Sequence, residues 1–261
     1  MSEGLLDRDA SAGVKRRFEE VPRERVLSDD ETRKLWDGLG TIRATESARI
    51  AMKLCLVLGQ RPKEIATLRK DRLALDALHP TATVERTTSK NRVEHIVPLP
   101  KLAAELLQQA CELYPLSAFV FPDRAGMVLD HRTRGLSAQR DGRHEPERAD
   151  GPLNPNRFSK IVERARAKDG SLFGIADVQL YDSKKTVATF LGNAGFPDQF
   201  IGLLFKHLTA KGGTVTGKHY NHARNMQQKR EMIELWARHL EGVIGVEREE
   251  ASNVVRMNER A

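Results

Sequence analysis

Apolar residues recur at helical spacing in several separate stretches of the chain, and most stretches have a recognisable start or end. Ser28 and Glu31 form an S-x-x-E capping box ahead of a first helix. Gly59 is placed to close a second helix in the left-handed conformation, and Pro62 suits the first turn of a third. The second and third helices are predicted over 46–58 and 62–69. Further helices are predicted over 100–111, after 155, and over 183–193, 197–205 and 224–244.

In the segment 81–87 the pattern of polar and apolar residues repeats every two positions, with threonine and charged residues alternating with alanine and valine. A second short run, 94–97, follows a polar turn that contains Lys90. This pattern predicts a β-hairpin with Lys90 at its tip. The predicted fold class is therefore α+β, mainly α-helical with a small antiparallel β-hairpin or sheet.

Three segments show no such periodicity, and they set the predicted domain limits. Residues 1–27, with the basic run 15–17, are predicted to be a flexible basic lead-in or linker. Residues 124–150 are rich in Arg, Gly and Asp and predict a surface loop or insertion within the ordered domain, 28–245. A flexible tail is predicted over 246–261.

Composition narrows the class of protein. The chain has 261 residues, with 43 Lys and Arg against 36 Asp and Glu, a net charge of +7 and 39% hydrophobic residues, which excludes a disordered tail protein. No apolar run approaches the roughly 18 residues of a membrane span, and no signal peptide is recognisable, so we expect a cytoplasmic protein without a membrane partner. Cys55 and Cys111 are isolated among apolar neighbours, as reduced core cysteines are. The basic excess fits a polyanionic partner.

Several cationic side chains are candidates for anion binding, and each has a simpler interpretation. Arg61 follows a tight bend between two helices, where its guanidinium could hold a phosphate or lie on the surface as an ordinary helix-start residue. Lys90 is either a functional hairpin lysine or a solvated one. Lys184, after Asp182 as an N-cap, could bind an anion at a helix start or lie on an exposed helix face.

Two further residues have the same ambiguity. His207 follows an apolar run, a position where a core histidine with satisfied hydrogen bonds is the default. Tyr220 is one of three tyrosines and lies close to two histidines and a lysine, which is unusual without being diagnostic. Neither residue alone identifies a function.

In chain order, however, these residues resemble the catalytic domain of tyrosine recombinases, the phage integrase family. The resemblance covers about residues 23–245. The segments that carry it are the G-x-R-x-x-E box in 58–68, Thr87-Thr88-Ser89-Lys90 with Val97-Pro98-Leu99, 186–189, and Tyr220 ahead of a final helix that contains Trp236. The segment 23–28 is similar to the start of this domain in prophage and genomic-island integrases. The resemblance implies the tyrosine recombinase catalytic-domain fold.

The resemblance also implies roles for individual residues. Arg61 would clamp the scissile phosphate, Lys90 would protonate the departing 5′ oxygen and His207 would support the phosphate. Tyr220 would be the nucleophile that forms a 3′-phosphotyrosine. Cationic donors around the phosphate would stabilise the charge of the transition state, so no cofactor or metal is expected.

Two positions depart from the family pattern. The H-x-x-R box of the family falls on Tyr181 and Lys184, with tyrosine in place of histidine and lysine in place of the second arginine. An ammonium group cannot reproduce a bidentate guanidinium contact, and loss of such a donor costs about 3 kcal/mol, or roughly a hundredfold in rate. The predicted DNA strand transferase activity is therefore attenuated or lost.

Two functions of different classes follow. The first is a site-specific recombinase that acts on double-stranded attachment-site DNA as a homo-tetramer held by its C-terminal helix, at the nucleoid. The second is a non-cutting relative that binds DNA or an active recombinase and regulates integration or excision, with directionality proteins as further partners. A basic helical DNA-binding module without enzymatic function is a third. Whether a helical core-binding domain normally precedes residue 28 stays open.

Overall fold

Eight α-helices and three short β-strands make up the part of the chain that the computed structural model describes. That part comprises residues 23–85, 94–123, 150–205 and 215–246, with the backbone alone for 215–224. The helices are α1 (Asp29–Thr41), α2 (Glu46–Leu58), α3 (Pro62–Ala66), α4 (Lys101–Leu113), α5 (Asn156–Ala165), α6 (Asp182–Asn193), α7 (Asp198–Leu204) and α8 (Val215–Ile244). The strands are β1 (Leu73–Ala74), β2 (Thr81–Val84) and β3 (His95–Pro98), and a short 3-10 helix, Lys70–Arg72, precedes β1.

The helix boundaries near the N-terminus follow from local capping. The Ser28 hydroxyl accepts a hydrogen bond from the Glu31 backbone N–H at 3.2 Å, and the Glu31 carboxylate accepts one from the Ser28 N–H at 3.0 Å. This is the predicted capping box, which is confirmed. Gly59 ends α2 with φ of 60°, also as predicted. Helix α3 starts at Pro62 as predicted but is shorter, ending at Ala66.

Helix α2 lies at the centre of the core. The sequence predicts that α2 buries one apolar face, with Ile50, Leu54 and Val57. In the structure every residue of the helix from Ile50 to its end is buried except Lys53. The helix packs against α1, α3, α4, α6 and α8, so it is enclosed on all sides. The Cys55 thiol donates to the Ala51 carbonyl within this helix, and burial raises the pKa of that thiol.

The strands form one antiparallel sheet in the order β1-β2-β3. Thr81 pairs with Pro98 and Val84 with His95, which confirms the predicted pairing of the two hairpin strands. Ala82 and Val84 are buried whereas Thr81 is only partly covered, as the alternation predicts. Strand β1 was not predicted, because two residues are too short to show a period. The mainly helical fold class with a small antiparallel sheet is confirmed.

The last helix is longer than its apolar pattern predicts. It begins at Val215, not near residue 224, so Tyr220 lies within the helix and not ahead of it. Its C-terminal half packs into the core through Ile233, Trp236 and Leu240, all nearly inaccessible. The Trp236 indole N–H also donates to the Leu56 carbonyl at 3.1 Å. This hydrogen bond joins α8 to the last turn of α2.

The predicted flexible segments are described only at their edges. Within the lead-in, Leu27 is buried and its N–H donates to the Thr186 hydroxyl on α6 at 3.0 Å, so this end of the segment is anchored. The predicted loop, 124–150, lies outside the described residues except for Asp150. Its two ends are hydrogen-bonded, since the Asp123 N–H donates to the Gly151 carbonyl at 2.7 Å. The domain limits themselves stay predictions.

The described helices include none with both the length and the apolar character needed to cross a bilayer.

Candidate functional site

The bend between α2 and α3 brings Arg61 to the surface of the core. A Cβ atom at Gly59 would lie 2.9 Å from Cε1 of Phe205 and 3.0 Å from Cγ2 of Val187, so the backbone here touches both α6 and the end of α7. Only glycine combines this close approach with the positive φ. Arg61 follows in extended conformation as the N-cap of α3, with Pro62 in the first turn.

Glu64 orients the Arg61 side chain. Its carboxylate accepts a hydrogen bond from Nη1 of Arg61 at 3.0 Å and another from the Arg61 backbone N–H at 3.1 Å. Glu64 is 2% exposed and the Arg61 side chain 18% exposed, so the ion pair is held at the edge of the core. Glu64 is the sole hydrogen-bond acceptor of this guanidinium among the described residues. The remaining N–H groups of the fork are available to a phosphate.

The start of α6 places Tyr181 and Lys184 in different environments. Tyr181 is 44% exposed, whereas Lys184 is 3% exposed. The Lys184 Nζ lies 5.3 Å from the centre of the Phe205 ring, a cation–π distance. Lys184 is therefore a buried cation, contrary to the exposed helix face that was its simpler interpretation.

The end of α7 joins these two segments. Phe205, which contacts Lys184, is also the residue that a Cβ at Gly59 would strike. In addition, the Gln60 side-chain amide donates to the Leu204 carbonyl at 3.3 Å. The bend before Arg61, the first turns of α6 and the end of α7 thus meet around one aromatic ring.

A cleft opens beside this meeting point. Its volume is about 390 Å³, and both Pro62 and Tyr181 line it. Glu163 and Arg166 line the same cleft and form an ion pair at 3.4 Å. Of the candidate residues that the structure describes, Tyr181 lines this cleft, whereas Arg61 and Lys184 do not.

Asp182, between Tyr181 and Lys184, does not act as the predicted N-cap. Tyr181 occupies the cap position, and the Asp182 carboxylate accepts instead from the backbone N–H of Gln179 at 2.8 Å. The same carboxylate accepts from Nε and Nη2 of Arg23 at 2.9 and 2.8 Å. The N-cap prediction is wrong because the aspartate lies inside the helix and bonds to earlier residues.

Arg23 ties the lead-in to this turn of α6. Besides Asp182, which is 1% exposed, its guanidinium binds both carboxylate oxygens of Asp177 at 2.8 Å. Hydrogen bonding to Asp182 and then to Asp177 raises the pKa of Arg23, and the bond from Arg23 lowers the pKa of Asp177. The arginine neutralises a buried carboxylate directly beside the candidate residues.

We expect Arg23→Ala to lower the free energy of unfolding by about 2 kcal/mol, because the buried Asp182 carboxylate loses two charged hydrogen bonds. Urea denaturation measures this. Arg69→Ala is the matched control: the two arginine side chains are 30% and 33% exposed, but the partner of Arg69, Asp71, is 58% exposed. The control should lose clearly less than Arg23→Ala, because an exposed ion pair is screened by water. Equal losses in the two variants would contradict the importance of the buried partner.

Three of the predicted residues cannot be placed relative to this site. Lys90 and His207 lie outside the described residues. The backbone of Tyr220 belongs to α8, but the structure does not describe its side chain. Of the predicted set, the structure places Arg61, Tyr181 and Lys184 on segments that meet.

Sequence analysis assigned no role to Glu64, Arg23 or Gln60. Glu64 is in the G-x-R-x-x-E box, and its spacing of three from an N-cap could have indicated a capping box with Arg61. Arg23 and Gln60 have partners more than 140 residues away in sequence, so no local signal identifies them.

Comparison with known proteins identifies the family to which the chain is similar. A model described as the phage integrase family matches residues 25–227. The XerH recombinase bound to difH has 16% identity and a TM-score of 0.48, over 77% of this chain and 49% of that one. The integrase from mycobacterium phage Brujita has 19% identity and a TM-score of 0.48, over 84% and 59%. XerA recombinase has 13% identity and a TM-score of 0.49, over 87% and 66%. The chain spans about half the length of the XerH chains. No curated protein sequence matches.

Proposed function

Because the chain belongs to the phage integrase family, we propose that it is the catalytic domain of a tyrosine recombinase that cuts and rejoins double-stranded DNA at specific sites. The observation that carries the proposal is the meeting of two cationic segments around Phe205. Arg61 follows the bend that touches this ring, and Lys184 lies above it. Two cationic side chains on segments that meet suit the binding of a phosphodiester.

The proposed reaction begins with attack by the Tyr220 oxygen on the scissile phosphorus. A bond forms between that oxygen and phosphorus, the bond to the 5′ oxygen breaks, and a 3′-phosphotyrosine results. The phenol gives up a proton and Lys90 provides one to the 5′ oxygen, so the step is balanced without an added co-reactant. Arg61 and His207 hold the phosphate, and Glu64 holds Arg61. Rejoining reverses these steps with a new 5′ hydroxyl.

Lys184 and Tyr181 attenuate the proposed activity. Lys184 replaces the second arginine of the family pattern, and an ammonium offers a point charge where a guanidinium offers two parallel donors. Tyr181 keeps a hydrogen-bonding group at the cleft and has the smaller effect.

The proposed partner is attachment-site DNA. The basic excess of the chain favours phosphate contacts, which makes binding dependent on salt. The active form is a tetramer held by contacts of the C-terminal helix, and it works in the cytoplasm at the nucleoid.

The test is formation of a covalent protein–DNA adduct. Overlapping nicked duplexes that tile the DNA on either side of the gene are incubated with the protein and separated on a denaturing gel. The nick lets the cut fragment diffuse away, so even a slow enzyme accumulates the adduct. An adduct that resists denaturation supports the proposal. If the protein binds DNA but forms no adduct with any of the duplexes, the proposed cutting activity is contradicted.

Lys184→Arg is expected to increase the rate of adduct formation about tenfold, because a guanidinium restores bidentate phosphate contact and still stacks on the Phe205 ring. The same gel measures the rate, and thermal unfolding of the variant shows whether the buried site accepts the larger group. Lys185→Arg is the control, since it makes the same change at the next position of α6 and should leave the rate unchanged. A folded Lys184→Arg variant without a rate increase would contradict the attenuation.

The second candidate function is a regulator that binds DNA or an active recombinase without cutting. Lys184 and Tyr181 favour it, since both depart from the family pattern. DNA binding by an inert wild type, with an equally inert Lys184→Arg variant, would support this candidate.

A further inference from the structure

A buried polar cluster lies behind the candidate site, and no step of the proposed reaction uses it. His95, at the start of β3, is 4% exposed, and Lys229 of α8 is 9% exposed. Nε2 of His95 lies 3.0 Å from the Leu204 carbonyl oxygen, and Nζ of Lys229 lies 3.5 Å from Nδ1 of His95. The Lys229 ammonium also donates to the Ile96 carbonyl at 3.1 Å.

The hydrogen bonds assign the proton on His95. A carbonyl oxygen can only accept, so Nε2 of His95 carries the ring proton and Nδ1 is the nitrogen that faces the Lys229 ammonium. Nε2 then donates to the Leu204 carbonyl, one of the carbonyls left free at the end of α7. Gln60 donates to the same carbonyl.

Each member of this cluster is on the same helix as, or a few positions along the sequence from, a proposed active-site residue. Gln60 directly precedes Arg61, and Lys229 is on the same continuous helix as Tyr220. His95 follows Lys90 by five positions and Leu204 precedes His207 by three, as the sequence numbers give.

We propose that His95 and Lys229 are positioning residues that, with Gln60, hold four segments in one fixed arrangement: the bend before Arg61, the start of β3, the end of α7 and residues 225–233 of α8. This inference rests on the proposed function for its catalytic consequence. Burial of an ammonium and an imidazole is costly, and apolar side chains would pack these segments together at lower cost. Hydrogen bonds, however, fix the relative rotation and offset of the segments, because they are directional and apolar contacts are not.

Lys229→Met removes the ammonium and keeps the apolar stem. We expect this one substitution to increase the rate of amide hydrogen exchange in all three segments, 95–98, 201–205 and 225–233, measured on the protein without DNA. We also expect adduct formation to slow about tenfold or more while DNA affinity is unchanged, since a small misplacement acts on the rate and not on phosphate binding. Gln227→Ala, an exposed change on the same helix, should alter neither measurement.

A second pair of variants separates positioning from simple packing. The amide of His95→Gln can donate to Leu204 and accept from Lys229, so this variant should keep exchange and adduct rates near those of the wild type. His95→Leu should match Lys229→Met in both measurements. Equal behaviour of the glutamine and leucine variants, or exchange that increases in α8 alone, would overturn the inference. If the wild type forms no adduct, the proposed function fails, and the coupling of the segments is still decided by hydrogen exchange.

Discussion

Tyr220→Phe is expected to abolish the covalent adduct, with a loss in rate of at least about a thousandfold, because the variant lacks the only oxygen that the proposed reaction uses as a nucleophile. The affinity for DNA should not change, since it depends on cationic contacts with phosphates. Adduct formation on nicked duplexes and fluorescence anisotropy at fixed ionic strength measure the two quantities separately.

The other two tyrosines provide matched controls, since the chain has three. Tyr114 is the C-cap residue that follows α4, and its backbone carbonyl accepts a hydrogen bond from Lys70, so Tyr114→Phe should leave the adduct unchanged. Tyr181→Phe should reduce the rate only in part, because Tyr181 lines the cleft without being the proposed nucleophile. An adduct that persists in Tyr220→Phe would refute the assignment, and mass spectrometry of the linked peptide would identify the true nucleophile.

Gly59→Ala is expected to lower the free energy of unfolding by about 3 kcal/mol. The backbone at φ of 60° strains any residue with a Cβ, and the new methyl group would press on the Phe205 ring at 2.9 Å and on Val187 at 3.0 Å. Urea denaturation with an unchanged slope would measure the loss. The bend before Arg61 would also shift relative to Lys184, so the adduct rate should decrease in the folded fraction.

Gly192→Ala is the control for this change. Gly192 is in α6, and the nearest atom to an added Cβ is Cδ1 of Ile201 at 4.0 Å, an ordinary contact. Alanine should therefore stabilise the protein slightly, by about 0.5 kcal/mol, through the lower entropy of the unfolded chain. A loss at Gly59 no larger than the change at Gly192 would mean that the bend can relax at little cost.

Much of the fold could be predicted from local signals. Ser28, Gly59 and Pro62 each act through atoms within four residues, so the capping box, the helix end and the helix start were visible in sequence. The start of α8 was missed because 215–223 contains glycine, threonine and histidine and shows no apolar spacing. The backbone continues as a helix there despite the weak pattern, since the long packed part that follows has already nucleated it.

The candidate site was predictable only in part. The box around Arg61 identified the arginine, but the environment of Lys184 was not visible, because its burial depends on Phe205 from another helix. The partners of His95 and Arg23 lie more than 100 residues away in sequence. Such contacts are set by tertiary packing, which periodicity and motif spacing do not encode.

The hydrogen bonds that join 121–123 to 151–153 bear on how the protein tolerates changes in the length of the chain between them. The two flanking segments are held together, and the entropy cost of closing a loop between fixed ends grows only slowly with the number of residues in it. We therefore expect insertions and deletions between these points to change the free energy of unfolding only slightly.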